Sequence, residues 1–206
     1  MDRKERLRDT YDAIAESFDE TRREPWEDVA DFVEGRDGAL ALDIGCGNGR
    51  HLPLLGERFD AAVGLDFSRS MLGLCAGPVV RGDLSGLPFR DSCADLVLCV
   101  AALHHLPTRD GRLGALDEIE RVLRDDGEAL VSVWAIEHPK FDGARDEIRA
   151  SGGDFCVPWK RGGTERDRYY HIHDRASFEE LIADSSLSGE VWESDGNYYA
   201  CLRPTG

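Results

Sequence analysis

The sequence predicts an α/β fold built on an open, mainly parallel sheet, and three observations predict it. Apolar runs of strand length alternate with amphipathic helical runs between residues 39 and 134. The glycines Gly45, Gly47 and Gly49 stand where the first of those strands gives way to a helix. Near its end the chain carries two strand-like runs around Ser194-Asp195-Gly196-Asn197, a hairpin signal.

Each element follows from its own pattern. Tyr11, Ile14, Ala15 and Phe18 recur at i, i+3, i+4 and i+7, which predicts a helix with one apolar face. Trp26, Val29, Phe32 and Val33 predict a second helix, starting around Pro25 and ended by Gly35. A strand over 39–44, a helix over 50–57, a strand over 61–66 and a helix over 68–75 follow, then short strands over 79–81 and 96–100. Thr108 can cap a helix carrying Leu113, Leu116, Ile119 and Leu123, which stops at Asp125-Asp126-Gly127 before a strand over 129–134. Residues 137–170 break the rhythm, being rich in Gly, Arg and aromatic residues, and 177–183 reads as a last helix. The final hairpin adds two strands, Val191-Trp192-Glu193 and Tyr198 to Leu202, one antiparallel to the rest. At 206 residues the expectation is one domain over 1–206, with N-terminal helices in 1–37 and an insertion over 137–170.

Composition narrows the class of protein. No apolar stretch exceeds strand length, and none follows the charged start Met1-Asp2-Arg3-Lys4-Glu5-Arg6, so neither a membrane span nor a signal peptide is expected and the cytoplasm is the expected location. Cys46, Cys75, Cys93, Cys99, Cys156 and Cys201 include no C-x-x-C pair, so no metal site is expected, nor a disulfide framework. The formal net charge is -16, and only Lys4, Lys140 and Lys160 among the 25 basic residues are lysines. Such a surface suits strong screening, because at molar salt the Debye length falls to about 3 Å and self-repulsion costs little. A halophilic, high-salt setting is therefore expected.

A strand ending in Gly-x-Gly-x-Gly lets backbone approach a ligand closely, since no Cβ intervenes. A dinucleotide fingerprint starting at Gly45 needs glycine where Arg50 stands, so a pyrophosphate-bearing cofactor is disfavoured. Two further acids end the next two strands. Asp66 is placed to accept both hydroxyls of a ribose, and Asp83 can accept from an adenine amino group. Asp43 is placed near an ammonium, while Phe67 and Leu84 can flank the adenine ring. Each acid alone is as readily a helix cap or a turn residue; the set is not. With these residues the chain resembles the class I S-adenosylmethionine (SAM)-dependent methyltransferases. The resemblance implies a Rossmann-like, seven-stranded sheet in the order 3-2-1-4-5-7-6, with SAM above the first two strands.

A narrower resemblance takes in the cofactor loop, Leu42 to Gly49, and extends over most of the chain. It is carried by Tyr11-Asp12-Ala13-Ile14-Ala15, Thr21-Arg22 with Pro25-Trp26, Gly86-Leu87-Pro88-Phe89-Arg90, His104-His105-Leu106, Arg121-Val122-Leu123, Val133-Trp134-Ala135, Val157-Pro158-Trp159 and Arg168-Tyr169-Tyr170-His171. These stretches resemble the tRNA wobble-uridine methyltransferases that convert 5-carboxymethyluridine to its methyl ester; Asp125-Asp126-Gly127 departs from their Pro-Gly-Gly turn. A carboxylate is already anionic at neutral pH and needs no general base. It needs a guanidinium to hold it in line, and Arg22 and Arg168 are the candidates, with His104 as a hydrogen-bonding partner. Trp26, His105, Trp134, Trp159, Tyr169 and His171 are the candidates for binding the target uridine and its neighbours, by stacking or hydrogen bonds.

The acidic total runs against an RNA partner, because phosphate contacts drive most such binding. Local basic strips soften the conflict: Lys160, Arg161, Arg166, Arg168 and Arg175 in one region, and Arg3, Lys4, Arg6 and Arg8 at the start. The resemblance implies two partners, the anticodon loop of tRNA and a small zinc-binding activator protein. The third strand, Val79-Val80-Arg81, lies at the sheet edge in the implied order and offers unpaired backbone groups to such a protein. Two other readings compete. One is a small-molecule O- or N-methyltransferase on the same fold, and the other a non-catalytic SAM- or tRNA-binding regulator.

Overall fold

The computed structural model describes residues 3–206, so Met1 and Asp2 of the charged N-terminal stretch lie outside the described residues. Its centre is a seven-stranded sheet of β1 (Gly38–Ile44), β2 (Phe59–Asp66), β3 (Val79–Arg81), β4 (Ala94–Val100), β5 (Leu123–Trp134), β8 (Leu187–Ser194) and β9 (Asn197–Pro204). The order is β3-β2-β1-β4-β5-β9-β8, and only β9 runs against its neighbours. This is the expected order, with the sixth and seventh strands of the sheet exchanged in space by the C-terminal hairpin.

Strand alternation divides the core into two layers. Val97 and Cys99 of β4 join Leu42, Ile44, Val131 and Ala200 on one face, packed against α5 (Arg109–Val122) and α7 (Arg175–Ala183). Leu96, Leu98 and Val100 point the other way, to Val29, Phe32 and Val33 of α2 (Glu27–Val33) and Leu55 of α3 (Leu52–Gly56). Leu7, Tyr11, Ile14 and Ala15 of α1 (Arg3–Asp19) form a separate cluster with Met71, Trp159 and Tyr169. That cluster sets α1 beside α4 (Arg69–Leu72), over the carboxyl end of the sheet.

Three boundaries differ from the sequence reading. The expected helix over 68–75 is one turn, capped by the Ser68 hydroxyl accepting from the Met71 amide and closed at Gly73. The Asp125-Asp126-Gly127 turn lies inside β5: Ala94 pairs with Leu123 and Leu96 with Glu128, so the intervening residues bulge out. Glycine is required there, since a Cβ on Gly127 would stand 2.9 Å from the Ala94 carbonyl. The irregular region 137–170 contains α6 (Arg145–Ala150) and a hairpin of β6 (Asp154–Arg161) and β7 (Thr164–His171). Pro158 and the charged residues of this hairpin hid its period of two.

Candidate active site

The strands β1, β2 and β4 deliver their carboxyl ends to one cavity, roofed by α1 and the β6–β7 hairpin. Asp43 is buried at the end of β1, and its Oδ2 has no hydrogen-bond partner among the described residues. Burial pushes its carboxyl up to about 7, Arg50 opposing and Asp66 reinforcing the shift. Asp66, at the end of β2, accepts from the Gly47 amide at 2.9 Å and the Ser68 amide at 2.8 Å. Burial raises its carboxyl to about 6 against the pull of those two amides. Asp83 accepts from the Ser85 amide and hydroxyl and pairs with Lys4. Burial works to raise this carboxyl too, but Lys4 and Ser85 outweigh it and hold it below its ordinary value.

The glycines serve different ends. Gly45 has φ +74°, and a Cβ on it would stand 2.3 Å from that of Ala102, so it lets the ends of β1 and β4 close together. Ala101, itself at φ 53°, is held by the Ser132 carbonyl and hydroxyl, which both accept from its amide. Gly47 lines the cavity. Gly49 does not: its Cα faces Cys75 and Leu52, so its role is packing behind the loop. Phe67 and Leu84 line the cavity beside Asp83. A pocket with a buried carboxylate oxygen that makes no hydrogen bond among the described residues, His51 Nδ1 standing 3.8 Å from it, a carboxylate at the glycine turn for vicinal hydroxyls and an apolar slot fits SAM.

Beyond the cofactor residues the cavity is lined by arginines that form no ion pair among the described residues. Arg168 is 3% exposed, its guanidinium 4.9 Å from the Trp159 ring and 5.4 Å from Tyr170, and its Nε has no hydrogen-bond partner among the described residues. Arg22 lies 5.3 Å from the same Trp159 ring. Arg50 rests 5.0 Å over Trp26. Burial and then Arg168 lower the pKa of Arg22; burial and then Arg22 lower that of Arg50, to about 10. No ion pair forms at any of the three among the described residues, although the chain carries 41 acidic residues. Asn48 of the glycine loop donates to the Arg22 carbonyl at 2.7 Å and to Asp19 Oδ1 at 2.9 Å, tying the Arg22 segment to the cofactor loop. A wider cleft continues outward past Arg22, Trp26, Arg50 and Trp134.

The sequence-selected residues divide accordingly. Arg22, Trp26, His104, Trp134 and Arg168 meet at the cavity with Asp43, Gly45, Gly47, Asp66, Phe67, Asp83 and Leu84. Trp134 is stacked on Tyr170 at 4.6 Å, so one of its faces is taken. His105 borders the cavity, but both ring nitrogens are engaged, with the Tyr11 hydroxyl and the Tyr169 carbonyl at 2.8 Å each, and it is a brace rather than a free binding group. Trp159 is buried behind the arginines and donates to Ser17 at 3.0 Å. Tyr169 and His171 are corrected outright, because alternation along β7 turns Arg168 and Tyr170 inward and those two away, onto Asp154 at 2.5 and 3.2 Å. Tyr170, Tyr11, Asn48, Arg50 and Ala101 were missed, and a period-of-two reading of β7 would have found Tyr170.

The comparisons agree with this geometry. The family model described as "Methyltransferase domain" matches residues 42–131. A protein of Encephalitozoon cuniculi named as a methyltransferase is 37% identical over 187 residues, which cover 86% of this chain and 84% of that protein. The tRNA (carboxymethyluridine(34)-5-O)-methyltransferase of Schizosaccharomyces pombe is 29% identical across 92% of this chain and 90% of its own length. An Arabidopsis thaliana protein of the same name is 39% identical over 62% of this chain, and the match spans only 32% of that longer protein. Among solved structures, the complex of the Haloferax volcanii Trm112 methyltransferase activator with a methyltransferase superposes with a TM-score of 0.71. It covers 97% of this chain and 98% of that one, at 19% identity.

Fold and site together define a class I SAM-dependent methyltransferase. More narrowly, the chain belongs to the methyltransferase family of the Encephalitozoon protein.

Proposed function

We propose that this enzyme methylates the carboxylate of 5-carboxymethyluridine at the wobble position of tRNA, forming 5-methoxycarbonylmethyluridine. The observation that carries the reading is Arg168, a buried guanidinium that opens on the cofactor cavity with no ion pair among the described residues and with Arg22 at its side. An unpaired buried cation is costly, and an anionic acceptor would relieve that cost. The names of the Schizosaccharomyces and Arabidopsis relatives support the same substrate.

When bound, SAM supplies an electrophilic methyl group on a sulfonium. Asp43 receives the methionine ammonium, Asp66 the ribose hydroxyls and Asp83 the adenine edge, while Phe67 and Leu84 flank the ring. Arg168 and Arg22 grip the acceptor carboxylate through paired hydrogen bonds and aim one oxygen at the methyl. No side chain takes a proton, since the acceptor is ionised from about pH 5 upward. Burial, reinforced by His105 and His173, holds His104 well below the ordinary imidazole range, so it meets the acceptor uncharged. Trp26 and the edge of Trp134, whose faces carry Tyr170 and Lys140, receive the base.

The same reading extends to partners and setting. The anticodon loop meets the tip of the β6–β7 hairpin, where Arg161 and Arg166 make no ion pair among the described residues. A small zinc-binding activator adds to the edge of β3, which among the described residues pairs only with β2; the Haloferax complex supports an activator partner. The enzyme works in the cytoplasm at high salt, and loss of stability between low and molar KCl would contradict that setting. Among the described residues no helix is long and apolar enough to cross a membrane.

The test is methyl transfer from labelled SAM to an anticodon stem-loop carrying 5-carboxymethyluridine, with and without the activator. Base-labile incorporation on that stem-loop and none on the unmodified one is the expected result. Transfer to neither refutes the reading.

A further inference from the structure

The adjacent histidines are wired in opposite senses. His105 Nδ1 lies 2.8 Å from the Tyr169 carbonyl, which can only accept, so Nδ1 carries the proton and Nε2 accepts from the Tyr11 hydroxyl at 2.8 Å. His104 Nδ1 lies 3.1 Å from the Trp134 amide, which can only donate. Its Nδ1 is therefore bare, and in the neutral ring the proton sits on Nε2. That Nε2 is buried without a partner among the described residues, in a fully buried side chain that lines the cavity with Arg168 and Arg22.

We propose that His104 determines specificity: its Nε2–H joins the guanidiniums of Arg168 and Arg22 as a third donor toward the acceptor group, which favours a carboxylate over the corresponding carboxamide. The inference rests on the carboxylate-methylating function above. A carboxylate presents acceptor oxygens to every donor. An amide presents one oxygen and an NH₂ that itself needs an acceptor, and an NH₂ turned toward His104 or a guanidinium meets a donor instead. Sites built around particular hydrogen bonds reject mismatched analogues by about a hundredfold or more. The other tautomer would turn a bare Nε2 toward the amide and reverse the preference. The Trp134 amide, fixed at the end of β5 and donating to Nδ1, opposes it.

Two measurements test this. Nitrogen-15 NMR of the wild-type His104 ring between about pH 6 and 8 needs neither RNA nor a variant, and it should show Nε2 protonated and Nδ1 bare throughout. In competition assays, a stem-loop carrying the carbamoylmethyl analogue should bind about a hundredfold more weakly than the acid substrate. His104→Gln, which offers an amide oxygen as acceptor, should narrow that ratio to about tenfold or less. A ring protonated on Nδ1, or an acid-to-amide ratio unchanged in H104Q while the acid is still methylated, overturns the inference alone. Absence of methyl transfer to the acid by the wild type overturns the underlying function and the inference with it.

Discussion

Cofactor affinity should fall about a hundredfold between pH 8 and pH 5.5, because the ammonium of SAM at Asp43 and its ribose hydroxyls at Asp66 both need ionised carboxylates, which burial keeps partly protonated. In the free protein Asp43 stands at about 7 and Asp66 at about 6. With both ionised in the complex, proton competition weakens binding by factors of about 30 and about 4 at pH 5.5, and by almost nothing at pH 8. The product corresponds to about 3 kcal/mol. At pH 6.5 about three quarters of Asp43 and one quarter of Asp66 carry a proton, so binding should expel about one proton. Calorimetry in two buffers of different ionisation enthalpy measures affinity and proton release together. The sign for folding is opposite: both carboxyls lie above their unfolded value, so the free protein loses their contribution to stability as pH rises from about 4 to 7. The gain in Tm on adding SAM should therefore grow over that range. An affinity that is flat between pH 5.5 and 8, with no proton released at 6.5, refutes the reasoning.

Four substitutions probe other parts of the site. Arg168→Met should lower kcat/KM for the carboxylate at least about a thousandfold while Tm holds or rises, since an unpaired buried cation becomes an apolar chain; a large loss of Tm with activity retained contradicts it. His171→Ala should leave kcat/KM within about twofold, because its ring faces Asp154 and not the cavity. Gly45→Ala should cost several kcal/mol in chemical denaturation and abolish SAM binding, the new Cβ meeting Ala102 at a backbone of positive φ. Asn48→Ala frees the Arg22 carbonyl from the glycine loop and should raise KM for the RNA about tenfold, measured at saturating SAM.

Much of the molecule was legible in the chain itself. The glycine loop, the acids at three strand ends and the C-terminal hairpin each carry a local signature, and local signatures survive folding. The β6–β7 hairpin did not, because its inner face mixes Val157 and Trp159 with Arg168 and Tyr170, so no apolar alternation marks it. That one gap misplaced Tyr169 and His171, since a motif names neighbours in sequence while a strand sends them to opposite faces. The capture of His105 by Tyr11 and the Tyr169 carbonyl was equally invisible, as it joins three elements distant in sequence. Arg50 was read only as an obstacle to a pyrophosphate, and its place over Trp26 at the mouth of the cavity emerges from the fold.

Nucleoside mass spectrometry of tRNA from cells lacking this enzyme tests the central claim most directly. Loss of 5-methoxycarbonylmethyluridine with accumulation of 5-carboxymethyluridine is the predicted result; an unchanged ester, with no free acid, would contradict the assignment of the arginine-lined cavity to a tRNA-borne carboxylate.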